Sequence, residues 1–300
     1  MFSKLRSLIF KVDPEKAHSL AIKSLKFNLV PNIFDENKND PIFQAKIFDK
    51  DLDNPIGMAA GFDKNAEVYN SLFKLGFGFV EVGTITPLKQ YGNPKPRVFR
   101  LVEDEALINR LGFNNQGAQI VKERIKRNKK LGLLGINVGP NKDSSDRLND
   151  YLIGLKTFYD DADYITINIS SPNTENLRTF HEGDKLQDLL KSIMEERKNL
   201  KSNIPIAVKV SPDISEDQVN QISEILLEHE IKAIIVSNTS EATRDKLSNI
   251  QRHQKGGLSG KPIEKKSNIL INKFHKLLKG KIKIIGVGGV DSGKLLMINL

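Results

Sequence analysis

From residue 54 onward the chain alternates short apolar runs with longer amphipathic stretches. The apolar runs are Pro55–Ala59, Phe79–Gly83, Leu133–Val138, Tyr164–Ile169, Ile206–Val210, Ala233–Val236 and Lys283–Val287. They are short, β-branched and nearly continuous, as strands covered on both faces are. Between them, Glu67–Leu75, Lys185–Leu200, Glu216–Glu228 and Ile263–Leu278 carry apolar residues at helical spacing, and the basic run Lys122 to Lys130 reads as the outer face of a further helix. Seven strand-then-helix units in one run predict an α/β protein with a parallel sheet and right-handed crossovers. A (β/α)8 TIM barrel and an open doubly wound sheet both satisfy that order. The barrel is the better match, because nearly every strand ends in polar or Gly residues, as a shared rim requires. An open sheet concentrates such residues at one switch point. One long excursion, Pro87 to Asn115, interrupts the repeat.

The first 40 residues follow a different pattern. Asp13-Pro14-Glu15 reads as a helix start, with an N-cap acid, Pro at the first helical position and an acid in the first turn. Residues 2–11 and 14–29 thus form two short amphipathic helices in this reading, and Pro31 to Pro41 a linker. The expected organisation is a small N-terminal helical domain over residues 1–40, then a barrel domain over 41–300.

Composition narrows the chemistry. The 300 residues include no Cys, which excludes disulfides, thiolate metal sites and a cysteine nucleophile. Five scattered His without HExxH spacing argue against a zinc site, so no metal is expected. The formal net charge is +9. Part of that excess lies in Met1 to Val30, where Lys4, Arg6, Lys11, Lys16, Lys23 and Lys26 are interleaved with Phe2, Leu5, Leu8, Ile9 and Phe10. Such a segment suits an anionic membrane surface. No apolar run reaches the roughly 18 residues of a membrane-spanning helix, and Ser7 to Phe10 is too short for a signal-peptide core. The expected location is the cytoplasmic face of the cell membrane, in peripheral contact with its inner surface. Charge alone would also fit a nucleic-acid module, but no recognition motif supports one, and nucleic acid is not an expected partner.

The strand ends collect the candidate chemistry. They read Ala60-Gly-Phe-Asp-Lys64, Gly83-Thr-Ile-Thr86, Asn137-Val-Gly-Pro-Asn141, Asn168 to Asn173, Lys209-Val-Ser211, Ser237-Asn-Thr239, Gly256-Gly-Leu-Ser-Gly260 and Gly286-Val-Gly-Gly289. Amides, hydroxyls, two lysines and glycines, with few acids, suit a polar heterocycle and a phosphate. Lys209 stands inside an apolar strand, where its charge needs a partner. A developing anion on a cofactor and a structural ion pair both answer that need.

These motifs carry a resemblance. Ala59-Ala-Gly-Phe-Asp-Lys64, Asn109-Arg-Leu-Gly-Phe-Asn-Asn115, Asn168-Ile-Ser-Ser-Pro-Asn-Thr174, Ser237-Asn-Thr239, Gly256-Gly-Leu-Ser-Gly260 and Ile285-Gly-Val-Gly-Gly289 resemble dihydroorotate dehydrogenase, in its class 2, quinone-dependent, membrane-associated branch. The likeness implies a barrel that binds FMN, oxidises dihydroorotate to orotate in pyrimidine synthesis and passes electrons to a membrane quinone. It places Ser171 on the family's base, where the cytosolic branch has cysteine. It assigns Lys64, Asn109, Arg110, Leu111, Gly112, Phe113, Asn168, Asn173, Asn238 and Thr239 to the substrate. It gives FMN to Ala60, Gly61, Lys64, Thr84, Asn137, Asn168, Lys209, Ser237, Gly260 and Gly289, with Lys209 stabilising the reduced flavin. Residues 1–30, with Asp13-Pro-Glu-Lys-Ala-His18, are similar to the family's quinone-tunnel helices. Ser237 stands where the family often has Thr, which keeps the hydroxyl. After Asp291-Ser-Gly-Lys294 the family pattern continues with a helix, an eighth strand and a second phosphate turn, whereas this sequence reads Leu295-Leu-Met-Ile-Asn-Leu300. The expectation is therefore a barrel lacking its last βα unit, with a non-catalytic remnant that binds FMN weakly or not at all as the alternative.

Overall fold

The computed structural model describes residues 9–29, 41–242 and 244–291. The expected helix over residues 2–11 and the linker from Pro31 to Pro41 fall almost wholly outside these residues. Helix α1 spans Pro14–Lys26, where the Asp13 carboxylate caps the Lys16 N–H at 2.9 Å and Pro14 fixes the first turn. It ends three residues before the predicted Leu29. The helix lies against the barrel through buried Leu25, whose carbonyl accepts from Ser71 at 2.9 Å, and through a Lys26–Glu67 ion pair.

Strands β1 (Ala45–Ile47) and β2 (Lys50–Leu52) form an antiparallel hairpin that the sequence reading lacks. Its Phe48 and Asp49 both take positive φ, the backbone of a type I′ turn without the usual Asn-Gly signature. Ile47 and Leu52 are buried with Tyr164, and Phe48 packs on that ring with centroids 5.1 Å apart.

The main sheet contains β3 (Gly57–Met58), β4 (Phe79–Ile85), β7 (Leu133–Val138), β8 (Tyr164–Asn168), β9 (Ile206–Val210), β10 (Ala233–Val236) and β12 (Lys283–Gly286). All seven are parallel, in the spatial order β12-β10-β9-β8-β7-β4-β3. Between them lie α2 (Tyr69–Lys74), α3 (Ala118–Lys126), α4 (Arg147–Phe158), α5 (Gly183–Asn199), α6 (Glu216–Glu228) and α7 (Glu264–Leu278). The strands are apolar on both sides because one face meets these helices and the other fills the inside of a curled sheet. The expected strand repeat is the observed one. Helix α2 starts two residues later than predicted, because the Asp63 carboxylate holds the N–H groups of Glu67 (2.8 Å) and Val68 (2.7 Å) in the preceding turn. Among the described residues β3 and β12 are not paired with each other. Ile47, Ile56, Phe79, Ile235 and Ile285 border the cavity of about 410 Å³ that lies there.

The excursion from Pro87 to Asn115 is partly regular. It holds β5 (Val98–Leu101) and β6 (Ala106–Asn109), which pair antiparallel and are joined by β11 (Gly257–Gly260) from far along the chain. This small sheet, with its own buried Phe99, Leu101, Ile108 and Leu258, stands over the C-terminal ends of the barrel strands and walls the site.

Candidate functional site

The C-terminal ends of the parallel strands and the small sheet enclose a cavity of about 350 Å³. The barrel side contributes Ala59, Ala60, Gly61, Lys64, Gly83, Thr84, Asn168, Lys209, Ser237 and Asn238. The opposite wall is Val98, Leu107, Asn109, Leu111, Gly112, Phe113 and Asn114, with Ser171, Pro172, Asn173 and Thr239 at the side. Among the described residues no carboxylate lines it. The sequence reading found most of these residues because they stand where strand becomes loop.

A buried polar network forms the floor. Thr84 Oγ1 donates to Asn137 Oδ1 at 2.6 Å, and Asn168 Nδ2 donates to both of those oxygens, at 2.9 and 3.1 Å. Asn137 Nδ2 donates in turn to Glu81 at 2.8 Å. Glu81 was absent from the sequence reading, since a lone acid in an apolar strand carries no motif. It is nonetheless the buried carboxylate of the barrel interior, and it also accepts from Tyr164 (3.0 Å) and Thr166 (2.8 Å). Asn168 is the register partner of Lys209 on the next strand. Burial lowers the Lys209 ammonium pKa, and the Glu81 charge opposes that fall. The structural ion-pair reading of Lys209 thus has a carboxylate to point to, while the residue still faces the cavity.

The loop after β8 presents the hydroxyls. Ser170 Oγ donates to Asn168 Oδ1 at 2.7 Å and accepts from Asn238 Nδ2 at 2.8 Å. Ser171 is 5% exposed, and its Oγ accepts the Asn173 N–H at 3.2 Å. Asn173 Nδ2 reaches Asn109 Oδ1 at 3.3 Å, which links this loop to the end of β6. On the other side, Gly83 takes a φ of +113°, and a Cβ there would sit 2.4 Å from the Asn137 carbonyl oxygen. That close approach lets Gly83 accept from the Gly61 N–H at 2.9 Å and hold the Gly61–Lys64 turn in place. Half-buried Lys64 donates to the Gly61 carbonyl at 2.7 Å, and loss of water lowers its pKa to about 8.

Four predicted residues lie off the cavity wall. Asn137 supports the floor from behind. Arg110 points away, donating to Gln254 (3.0 Å), Lys255 O (3.1 Å) and Pro96 O (2.9 Å). Gly260 borders a neighbouring depression, and Gly289 rests against Glu264. In their place the cavity takes Ser259, Ile263, Val287 and Gly288, each one to three residues from a predicted position. Asn114 was also missed. Its Oδ1 is buried without a hydrogen-bond partner.

Residues 42–296 match the dihydroorotate dehydrogenase family. The chain belongs to that family. It is 44% identical over 299 residues to dihydroorotate dehydrogenase (quinone) of Agrobacterium fabrum, with 98% of this chain and 82% of that protein covered. With the protein of the same name from Pasteurella multocida it shares 46% over 306 residues, covering 97% and 89%. Among solved structures, DHODH of Eimeria tenella in complex with ferulenol superposes with a TM-score of 0.91 at 35% identity, covering 96% of this chain and 83% of that one. The chain is therefore an oxidoreductase of this type, built on a TIM-barrel-like sheet, and its family implies a flavin cofactor.

Proposed function

We propose that the protein oxidises dihydroorotate to orotate with FMN as hydride acceptor and a membrane quinone as final electron acceptor, in pyrimidine synthesis. The observation that carries this reading is an acid-free cavity in which Ser171, five asparagines and two lysines face one space. The donor set fits a flavin. Lys209 supplies a buried amino group, Asn168 a planar amide, Thr84 a hydroxyl, and Asn114 an unpaired buried oxygen. Ala60, Gly61, Thr84 and Lys209 would hold the ring system, and Ser237, Ser259 and Gly288 the phosphate, where late βα loops of barrels bind such groups. When bound, FMN supplies the acceptor for the hydride from substrate C6.

The remaining work falls to the chain. Asn109 at the end of β6 and Asn173 and Asn238 on two loops converge to orient an amide-bearing ring, and Lys64 faces its carboxylate. Ser171 takes the C5 proton. A serine is a weak base, so the dry setting and a proton relay, such as a water chain, have to assist it. The Asn173 N–H on Ser171 Oγ favours the developing alkoxide.

The quinone side rests on α1 and its surroundings. Leu20, Phe27 and Leu29 are exposed there beside Lys16, Lys23 and Lys26, a combination that suits the surface of an anionic bilayer. No helix among the described residues is long and apolar enough to cross a membrane. His18 stacks edge-on against Phe62 (5.2 Å) and lies within electrostatic range of Lys64, so α1 and the cavity meet.

The remnant reading is less favoured, since the donor set is present. Anaerobic mixing of FMN-loaded protein with dihydroorotate tests the proposal. Bleaching of the flavin band near ~450 nm is expected. A flavin that stays oxidised at saturating dihydroorotate would sink the assignment, and failure to retain FMN would restore the remnant reading.

A further inference from the structure

Arg178 lies in the 3-10 turn Leu177–His181, off the cavity wall, yet it touches both loops that furnish the polar side of the cavity. Its Nε donates to the Ser170 carbonyl at 3.1 Å, and its Nη2 donates to the Thr239 carbonyl at 2.9 Å. Ser170 precedes Ser171 in the chain, and Thr239 follows Asn238. The remaining guanidinium nitrogen, Nη1, donates to Asp213 at 3.0 Å.

Asp213, on the loop after β9, holds the arrangement together. It accepts from Ser240 Oγ (2.5 Å), from the Glu241 N–H (2.7 Å) and from Lys266 on α7 (2.5 Å). Three consecutive strand-end loops are thus gathered on one carboxylate and one guanidinium. Isolated surface ion pairs contribute little. This one differs because both partners are largely shielded, at 23% and 17% side-chain exposure, and because two arms of the planar fork end on backbone oxygens. A lysine presents one point charge and cannot satisfy two carbonyls and a carboxylate in a fixed plane.

We propose that Arg178, held by Asp213, is a positioning residue for the reaction: it fixes the Ser170 and Thr239 carbonyls so that Ser171 and Asn238 stay aimed into the same cavity. This rests on the reading that Ser171 acts on substrate there. The direct bond between the loops, Asn238 to Ser170 Oγ, involves a flexible side chain at each end, whereas Arg178 acts on the backbone of both. Loss of the clasp moves the hydroxyl relative to the asparagines without removing any group that touches substrate.

The test compares wild type, Arg178→Ala, Arg178→Lys and Asp213→Asn as FMN-loaded proteins. The rate of flavin reduction at saturating dihydroorotate is expected to fall ~10–100-fold in Arg178→Ala, the scale on which small misplacements act, and less in Arg178→Lys and Asp213→Asn. FMN content and melting temperature stay near wild type, and added guanidinium ion restores part of the Arg178→Ala rate. Amide hydrogen exchange should quicken at Asn173–Thr174 and Asn238–Ser240. Unchanged reduction with unchanged exchange overturns the proposal, as does a rate loss that merely tracks lost FMN or lost stability. If Arg178→Ala does not fold, the other two variants carry the same comparison. If wild type itself is not reduced by dihydroorotate, the functional reading fails, and the exchange data alone decide whether the clasp exists.

Discussion

Arg97 in the loop before β5 grips Glu15 on α1 through Nε and Nη2, with a shortest contact of 2.6 Å, and so fastens the N-terminal helix to the cavity wall. Its other nitrogen donates to the carbonyls of Tyr91 (2.6 Å) and Asn93 (2.9 Å). The guanidinium is nearly fully buried and has a partner in every direction. Burial alone would raise the Glu15 carboxyl, but the Arg97 hydrogen bonds and charge, helped by Lys95, bring it below the ordinary value.

Glu15→Gln should therefore loosen α1 from the barrel while leaving the cavity intact. We expect a loss of about 1–3 kcal/mol in stability, the range for a charge-assisted hydrogen bond, and weaker quinone turnover. At saturating dihydroorotate and pH 7, flavin reduction should stay within about twofold of wild type, because no Glu15 atom reaches the cavity and the loss of its pull on Lys64 acts on substrate affinity. Stopped-flow reduction and steady-state quinone assays separate the two steps. Equal losses in both would refute this division between α1 and the barrel.

Ser171→Ala should slow flavin reduction roughly 10²–10⁴-fold, the range for loss of a general base, with FMN still bound. The hydroxyl accepts only the Asn173 N–H and otherwise faces the cavity, so its removal leaves that one part-buried N–H without its acceptor and breaks no other hydrogen bond given for it. Near-normal reduction in the variant would remove Ser171 from its proposed role.

Lys64 gives the site a pH limit. Burial draws its pKa down to about 8, with Glu15 pulling it upward and Arg97 downward. Below that value it is an ammonium, able to meet a carboxylate. Above it the charge is lost, and the affinity for anionic substrate should fall, at most tenfold per pH unit. The apparent Kd for dihydroorotate should thus rise between pH 8 and 9.5 in wild type and stay flat in Lys64→Met. A flat wild-type profile would show that Lys64 does not meet the substrate's charge.

Much of this architecture was legible because local chemistry and tertiary structure agree. Helix α6 was read to the residue, since Ser215 and Gln218 close a reciprocal capping box at 3.2 and 2.9 Å. The strand ends were legible through their polar residues. The sheet of β5, β6 and β11 was not, because Gly257 pairs with Asn109 across a separation that leaves no periodic trace. Glu81 was invisible for another reason. Its donors Asn137, Tyr164 and Thr166 come from two other strands, and only folding brings them to one carboxylate. Arg110 shows the converse, since a residue inside a site motif can serve the loop instead, here by bracing Gln254 and Pro96.

His181 links the site to acid stability. Its buried ring uses one nitrogen to donate to the Arg178 carbonyl (2.9 Å) and the other to accept the Ser211 N–H (3.2 Å), which only the neutral tautomer can do. Burial lowers its pKa to about 4, with the Arg178 carbonyl opposing the fall. The unfolded ring takes a proton below about 6.5, whereas the folded ring resists until about 4, so the unfolded state binds more protons throughout that window. The His181 contribution to stability should fall as pH drops from 6.5 to 4 and level off below, with a loss of roughly 3 kcal/mol for a shift of that size. His18, lowered to about 4 by burial and by Lys64, adds a loss of the same sign. The His181 share is isolated by His181→Asn, whose amide can still donate and accept but does not titrate. Urea unfolding at pH 7 and pH 5 should show a smaller acid loss in His181→Asn than in wild type. An identical loss in both proteins would mean that this ring is not the group that couples the Arg178 turn and the loop after β9 to pH.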